Sequence, residues 1–323
     1  NQKIKTFSII DTDIKYNELK NIKKVTDDLN CESEIIKIFK NNFINKLQDL
    51  VAYHESPVFT LAQYLHWELM TAIKKTGIKV VISGVGADEF YSGYYDHYLM
   101  HLKHLHKKKN YNINLKNWKN FIKKKIRNPI LKNEKLFIIN PDYREHIYDN
   151  SKKLGIYLNN PEQFNFKEHS FSKDLFTNRR LNELFHETVP AILCNEDLNA
   201  MMNSIENRAP FLNKDILNFC LSISPEYLIK NGYSKFILRE GLKNILHNKV
   251  RTDRQKKGFN CSIQSLIDIK NKDTINYLLN KKSKIFEYIN YTEFKKIFKQ
   301  NLNENYLSKF IFSFISTKIF LDN

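Results

Sequence analysis

Asp88 and Glu89 stand where side chains commonly do chemistry. They follow the apolar run Val80-Val81-Ile82 through the turn Ser83-Gly84-Val85-Gly86-Ala87, and Phe90-Tyr91-Ser92-Gly93-Tyr94 come next. Open α/β sheets hold ligands outside the carboxyl ends of their strands, and a strand that ends in a glycine-bearing turn before a helix start has that form. Gly84 and Gly86 let a backbone approach a ligand closely. Asp88 offers hard oxygens to a cation such as a nucleotide-bound Mg²⁺. The same two carboxylates would also suit a helix N-terminus, where the helix dipole favours negative charge. From these residues alone both readings stand.

A second group is His97, His101, His104 and His106. The first three share one face of a helix, as a metal site would require. No acid or thiol adjoins them in the pattern, and Lys107-Lys108-Lys109 follow at once, so a solvated helix face is the expectation.

The elements that must position these residues can be read from periodicity. Residues 4–10 form a short β-branched and aromatic strand, and 33–39 a second, joined by an amphipathic stretch from Tyr16 to Leu29. A helix is predicted from Ser56-Pro57, with Ser as N-cap and Pro at the first helical position, and Gly77 as its stop. Ile78 to Ile82 gives the next strand. Strand, helix, strand, helix, strand predicts an α/β unit with one parallel sheet. Beyond residue 90 the pattern is helical, with polar connections at 107–117 and 158–174. The domains expected are 1–110, a nucleotide-binding α/β part, and 111–323, a mainly helical part.

Composition narrows the class. The 323 residues contain 52 Lys+Arg against 35 Asp+Glu, a formal charge of +17, with 42% hydrophobic residues, which is enough for a core. Gly 8 and Pro 7 are too few for a linker or a collagen-like chain. No apolar run approaches the ~18 residues of a membrane helix, and no signal peptide opens the sequence. Cys31, Cys194, Cys220 and Cys261 lack CxxC spacing and read as reduced cytoplasmic thiols. The basic charge could serve nucleic acid, but it lies in short lysine runs without a recognisable reading module. Solvated faces, with neither nucleic-acid nor membrane partner, are expected.

Four ordered blocks carry a resemblance. They are the strand and turn from Val80 through Tyr94; Asp197 to Asn213, with Met201 and Ser204-Ile205-Glu206-Asn207-Arg208-Ala209-Pro210-Phe211-Leu212; Lys235-Phe236-Ile237-Leu238-Arg239-Glu240; and Arg254-Gln255-Lys256-Lys257-Gly258-Phe259. Together they resemble the synthetase domain of glutamine-hydrolysing asparagine synthetases, within the PP-loop ATP-pyrophosphatase superfamily. The resemblance implies an adenine nucleotide alpha hydrolase-like fold. It implies that ATP activates a carboxylate as an acyl-adenylate and that glutamine-derived ammonia then displaces AMP.

Carried over by position, Ser83, Gly84 and Gly86, with the backbone near Ile9, would line the nucleotide site. Asp88 would hold Mg²⁺, and Lys235 would be the catalytic lysine. Glu89, Asp197, Glu206, Arg208 and Lys257 are the candidate substrate-side residues. Asp197 serves equally as a helix cap. Glu206 and Arg208 also fit a buried structural ion pair, the favoured reading of the two, and Lys257 with Gly258 would lie near leaving pyrophosphate.

The match departs from the family in two places. The Ser-Gly-Gly-x-Asp-Ser pyrophosphate loop is absent and is expected upstream of Asn1, with a glutaminase domain before it. The chain then reads as a fragment, inactive alone. Val85 stands where asparagine synthetases carry an acid. The acceptor is therefore aspartate or another carboxylate such as a sugar uronic acid, with Tyr91, Tyr94, Tyr95 and His97 available to a sugar. The resemblance allows a homodimer. The alternatives are a tRNA-modifying ATP pyrophosphatase and a non-catalytic scaffold.

Overall fold

The computed structural model describes residues 4–40, 42–147, 151–161, 166–256, 258–299 and 305–323. In order, β1 (Lys5–Ile10), α1 (Leu19–Asp28), β2 (Glu32–Lys37), α2 (Phe43–His54), α3 (Leu61–Lys74), β3 (Val80–Ile82), α4 (Ala87–Tyr91) and α5 (Tyr95–Leu105) form the first third. Helices α6 (Tyr111–Phe121), α7 (Leu136–Ile139), α8 (Ser151–Leu154), α9 (Leu175–Phe185) and α10 (Thr188–Met201) lead to the strand β4 (Glu206–Arg208). The rest is helical: α11 (Lys214–Ser222), α12 (Pro225–Leu228), α13 (Phe236–Gly241), α14 (Asn248–Arg251), α15 (Lys272–Leu278), α16 (Tyr291–Ile297) and α17 (Asn305–Asp322).

Parallel strands need a crossover, and α1 supplies one between β1 and β2. These two pair in parallel from Lys5↔Glu32 to Ile10↔Lys37. Lys5 reinforces the register through Glu32 and Glu34, at 3.2 and 3.1 Å. The single sheet expected from sequence is not what the described residues form. β3 pairs in parallel with β4, Val80↔Glu206 to Ile82↔Arg208, and not with β1. The two pairs nevertheless share a floor. Phe7 of β1 and Val81 of β3 both pack against one small cluster made by Met70 and Ile73 of α3 with Ala200 and Ile205.

Helix α3 starts later than Ser56-Pro57. Thr60 is its N-cap: its hydroxyl accepts from the Gln63 N–H at 3.3 Å, and the Gln63 side chain accepts from the Thr60 N–H at 3.1 Å. This reciprocal box satisfies two otherwise orphaned donors. The Val58 N–H instead donates to the Ser316 hydroxyl of α17 at 2.7 Å, which draws that stretch out of the helix. The 107–117 connection likewise gives way to α6 from Tyr111, whereas the described part of 158–174 contains no helix.

Two larger cores complete the fold. Leu47, Leu50 and Val51 of α2 and Leu61, Tyr64 and Leu65 of α3 pack with Phe294, Phe312, Ile315 and Ile319 near the carboxyl terminus. Phe90 and Tyr91 of α4 pack with Leu99, Leu102, Trp118, Phe137, Phe176, Cys220 and Leu228. The molecule is thus mixed α/β, largely helical, with small parallel sheets. Among the described residues no helix is long and apolar enough to cross a membrane.

Thr60→Ala removes half of the box that starts α3. It should lower unfolding free energy by about 1 kcal/mol, read from the urea midpoint at unchanged slope.

Candidate active site at the carboxyl end of strand β3

Strand β3 ends at Ile82, and the Ser83 N–H continues the ladder by donating to the Arg208 carbonyl at 2.8 Å. The chain then turns at Gly84 and Gly86 into the short helix α4. Gly86 adopts φ +94°, and a Cβ there would lie 2.5 Å from Leu212 Cδ2. Leu212 and Phe211 therefore occupy the space its missing side chain leaves, so packing and the left-handed backbone both call for glycine here. A Cβ at Gly84 would meet nothing within 4 Å, so this backbone is open to a ligand. The Ser83 hydroxyl is buried and has no hydrogen-bond partner among the described residues.

Asp88, on the first turn of α4, meets two lysines. Lys235 Nζ lies 2.8 Å from Asp88 Oδ1, and Lys256 Nζ lies 2.5 Å from Oδ2. Gly93 makes this approach possible: a Cβ there would fall 1.6 Å from Asp88 Oδ1 and 2.8 Å from Lys235 Cε. Its N–H also donates to the Asp88 carbonyl at 2.7 Å. Burial alone would raise the Asp88 carboxyl, but Lys256 and Lys235 outweigh it and hold the group at about 2.

Each lysine is locally fixed. Lys235 caps α13 in the left-handed region, φ +54°, and its N–H donates to the Tyr91 carbonyl at 3.0 Å. A non-glycine residue held there costs free energy and persists only where its surroundings over-determine it. Lys256 is led in by Arg254, whose guanidinium stacks 3.7 Å from the Tyr233 ring centre and 4.2 Å from that of Phe121. Lys256 Nζ also lies 4.9 Å from the Tyr94 ring centre.

Behind α4, Arg180 of α9 donates to the carbonyls of Glu89 and Phe90 at 3.0 and 2.5 Å. These are orphan carbonyls near the helix end. Burial lowers the Arg180 guanidinium to about 10. Glu89 is only 3% exposed and accepts from the Tyr94 hydroxyl at 2.6 Å. It faces the interior, which corrects its expected place on the substrate side.

The histidine stripe is not solvated. His97 and His101 are buried, and acids from α9 and its N-cap join the stripe: Glu183 reaches His97 at 2.8 Å and Asp174 reaches His104 at 2.6 Å. Asp96 reaches His146 at 3.2 Å, and Arg179 lies 3.5 Å from Asp96, 3.1 Å from Glu183 and 2.6 Å from Glu187. Burial pushes the Asp96 carboxyl up, yet His146, His97 and Arg179 hold it low. Burial lowers His101 to about 3, so it is neutral. Among the described residues the one acid–histidine set close enough to hold a metal is Asp96, His97 and Glu183. The Arg179 guanidinium already supplies the cation there. Tyr91 and His97 are buried and unavailable to a sugar, and Tyr94 is committed to Glu89.

The remaining expected residues are dispersed. Ile9 belongs to the other sheet, where it lines a cavity of ≈ 200 Å³ with Ile36, Tyr64 and Glu68. Asp197 is exposed within α10, so it caps no helix. Glu206 and Arg208 do pair, at 2.7 Å, but with 54% and 62% of their side chains exposed, so this pair is not a buried brace. Val85 packs against the α4–α5 core. Lys257 lies outside the described residues.

Asp88 does not fit a metal as it stands. Mg²⁺ wants near-octahedral oxygen ligands, whereas this single carboxylate already carries two ammonium groups. Sequence reasoning passed over Lys256 in favour of its neighbour and missed Arg180 and Gly93. Gly93 had a signal in the Gly93-Tyr94 pair; Arg180 had none.

A model of the asparagine synthase family matches residues 1–319, and the chain belongs to that family. It is 37% identical over 73 residues to "Asparagine synthetase [glutamine-hydrolyzing] 1" of Bacillus subtilis (strain 168). That match covers 23% of this chain and 11% of the relative's length.

Gly93→Ala forces Asp88 and Lys235 apart. It should cost about 1–3 kcal/mol, seen as a lowered denaturant midpoint. Because the Asp88 carboxyl is depressed on folding, its stabilisation is complete above the ordinary value of 3.8 and is lost as pH falls towards about 2. Urea titrations across that window should show a shallower loss for Asp88→Asn than for the wild type.

Proposed function

We propose that this chain is the synthetase part of an ATP-dependent amidating ligase. A carboxylate oxygen of the acceptor attacks the α-phosphorus of ATP, the bond to the bridging oxygen breaks, and pyrophosphate leaves. Ammonia then attacks the acyl carbon, loses a proton, and AMP leaves with the former carboxylate oxygen. A glutaminase domain of the same polypeptide would supply the ammonia, in line with the printed name of the Bacillus relative.

One observation carries this reading within the family: Lys235 Nζ lies 2.8 Å from Asp88, beside the open backbone of Gly84 at the carboxyl end of a parallel strand. That is where α/β sheets bind ligands. An ammonium there can neutralise charge that develops on phosphate oxygens, which is the main demand of the adenylation step. The buried Ser83 hydroxyl without a partner offers a donor at the same turn. Val85, half-buried against the α4–α5 core, contributes no charge to an acceptor's ammonium. Aspartate and sugar uronic acids are the acceptors to try first.

The test is acceptor-dependent exchange of labelled pyrophosphate into ATP by the full-length protein. Lys235→Ala should reduce the exchange about 100-fold or more, the scale of losing one charge-stabilising group. Exchange at the wild-type rate in that variant would reject the role of Lys235. No exchange with any carboxylate would reject the reaction.

A further inference from the structure

The positive charge of the molecule is not spread evenly along it. Residues 103–135 contain 12 Lys+Arg against one acid, Glu134, and so carry +11 of the formal +17. A lysine-rich composition raises the number of cations everywhere; it does not also clear the acids from one stretch. The fold keeps this stretch together, because α6 and α7 both pack on α5 and the turn Lys123–Lys125 packs on α6. Glu134 is shared by Lys119 and Lys123, at 2.9 and 3.3 Å. Two acids from elsewhere touch the region, Asp174 on His104 and Glu226 on Asn110, and among the described residues neither forms an ion pair with its lysines. Lys109, Lys116, Lys124 and Lys125 are exposed. Each lysine run by itself has the form of a solvated face, and their convergence on one layer is what the fold adds.

An occupant of this layer must bring negative charge, and the side chains among the lysines say of which kind. A nucleic acid held by its bases needs free aromatic faces. Here they are taken: Trp118 is 1% exposed with Lys123 Nζ 5.5 Å from its ring centre, Tyr111 meets the His106 ring at 5.4 Å, and Phe121 lies against the Arg254 guanidinium. Arg127 is the one arginine of the stretch, so the bidentate forks that read phosphate geometry are scarce as well. What α6 shows to solvent is aliphatic: Ile113 is 61% exposed, one turn before Lys116 on the same face. Ammonium groups around an exposed isoleucine suit an anionic bilayer, whose surface potential attracts the charge and whose acyl boundary accepts the side chain.

We propose that the lysine layer of α5, α6 and the turn after it is a docking surface for an anionic lipid membrane. Attachment is peripheral, reversible and weakened by salt, since it rests on surface charge and one aliphatic anchor. The amidation reading neither requires it nor supplies it.

The test is co-sedimentation of the full-length protein with vesicles of phosphatidylcholine alone and with about one third phosphatidylglycerol, at about 0.15 M salt. The protein should bind the mixed vesicles, leave them at high salt, and not bind phosphatidylcholine. Each lysine near an anionic surface accounts for about fivefold in binding. A variant with Lys109→Gln, Lys116→Gln, Lys124→Gln and Lys125→Gln should therefore lose about 100-fold or more. Lys116→Glu with Lys124→Glu is the second variant should the fourfold change not fold. Lys74→Gln, Lys214→Gln, Lys243→Gln and Lys272→Gln together lower the net charge equally from exposed sites elsewhere and should leave binding nearly unchanged. Ile113→Ser should weaken it about fivefold through the lost apolar contact.

Equal binding to both kinds of vesicle overturns the proposal, as does wild-type binding by the layer variants or an equal loss in the control variant. No binding to the anionic vesicles overturns it too, and RNA retained at the same salt would then give the surface to nucleic acid. Activity is no part of the readout, so either outcome leaves the amidation reading where it stands.

Discussion

Asp88 can be reached from both sides only because position 93 has no side chain. A Cβ there would fall 1.6 Å from Asp88 Oδ1 and 2.8 Å from Lys235 Cε, so both side chains would have to move aside and the contact between them would open. Around that vacancy the rest of the site is arranged. α4 must end where it does, and Arg180 secures it by bonding the carbonyls of Glu89 and Phe90. α13 must begin with a strained residue, and Arg239 braces that turn by donating to the Ser234 carbonyl at 2.8 Å and to the Arg251 carbonyl. The second of those bonds also ties α13 to the segment that carries Lys256, so the two lysines approach on linked supports.

Behind α4 lies a layer of buried polar and charged groups: Asp96, His97, Glu183 and Arg179, with Arg144 on Glu168 at 2.6 Å. Removing so many charges from water costs several kcal/mol per ion, and the pairing roughly returns it. Such a layer is a weak source of stability. Its physical effect is selectivity of geometry, because shifting α9 against α5 would strand several unpaired charges at once. α9 is also the helix that carries Arg180. The layer therefore fixes, at one remove, where Asp88 sits.

The sequence made β1, β2, α1 and the turn after β3 legible because their signals are local: a short apolar run, a helical stripe, glycines in a row. What escaped depended on distant partners. Ser56-Pro57 has the form of a helix start, yet Thr60 and Gln63 make the better box, and a hydroxyl from α17 claims Val58. The histidines looked solvated because Asp174 and Glu183 arrive from a helix some seventy to ninety residues later. At Gly86 only the position of Leu212 shows what fills the space a side chain would take. Asp88 and Lys235 could be named from the family pattern, but Lys256 could not be separated from Lys257 until the geometry was known.

The two small sheets are joined at their carboxyl ends by the same stretch of chain. Asp11, 2% exposed at the end of β1, accepts from the Ser262 N–H at 2.9 Å. A few residues earlier, Lys256 reaches Asp88 beyond the end of β3. The first anchor is a backbone N–H on the buried Asp11, the second the side-chain stack of Arg254 on Tyr233 and Phe121. The segment cannot carry Lys256 far as a body without breaking one of them. Any exchange of partner by this lysine must then be a movement of its side chain, for which lysine has the flexible stem that arginine's rigid fork lacks.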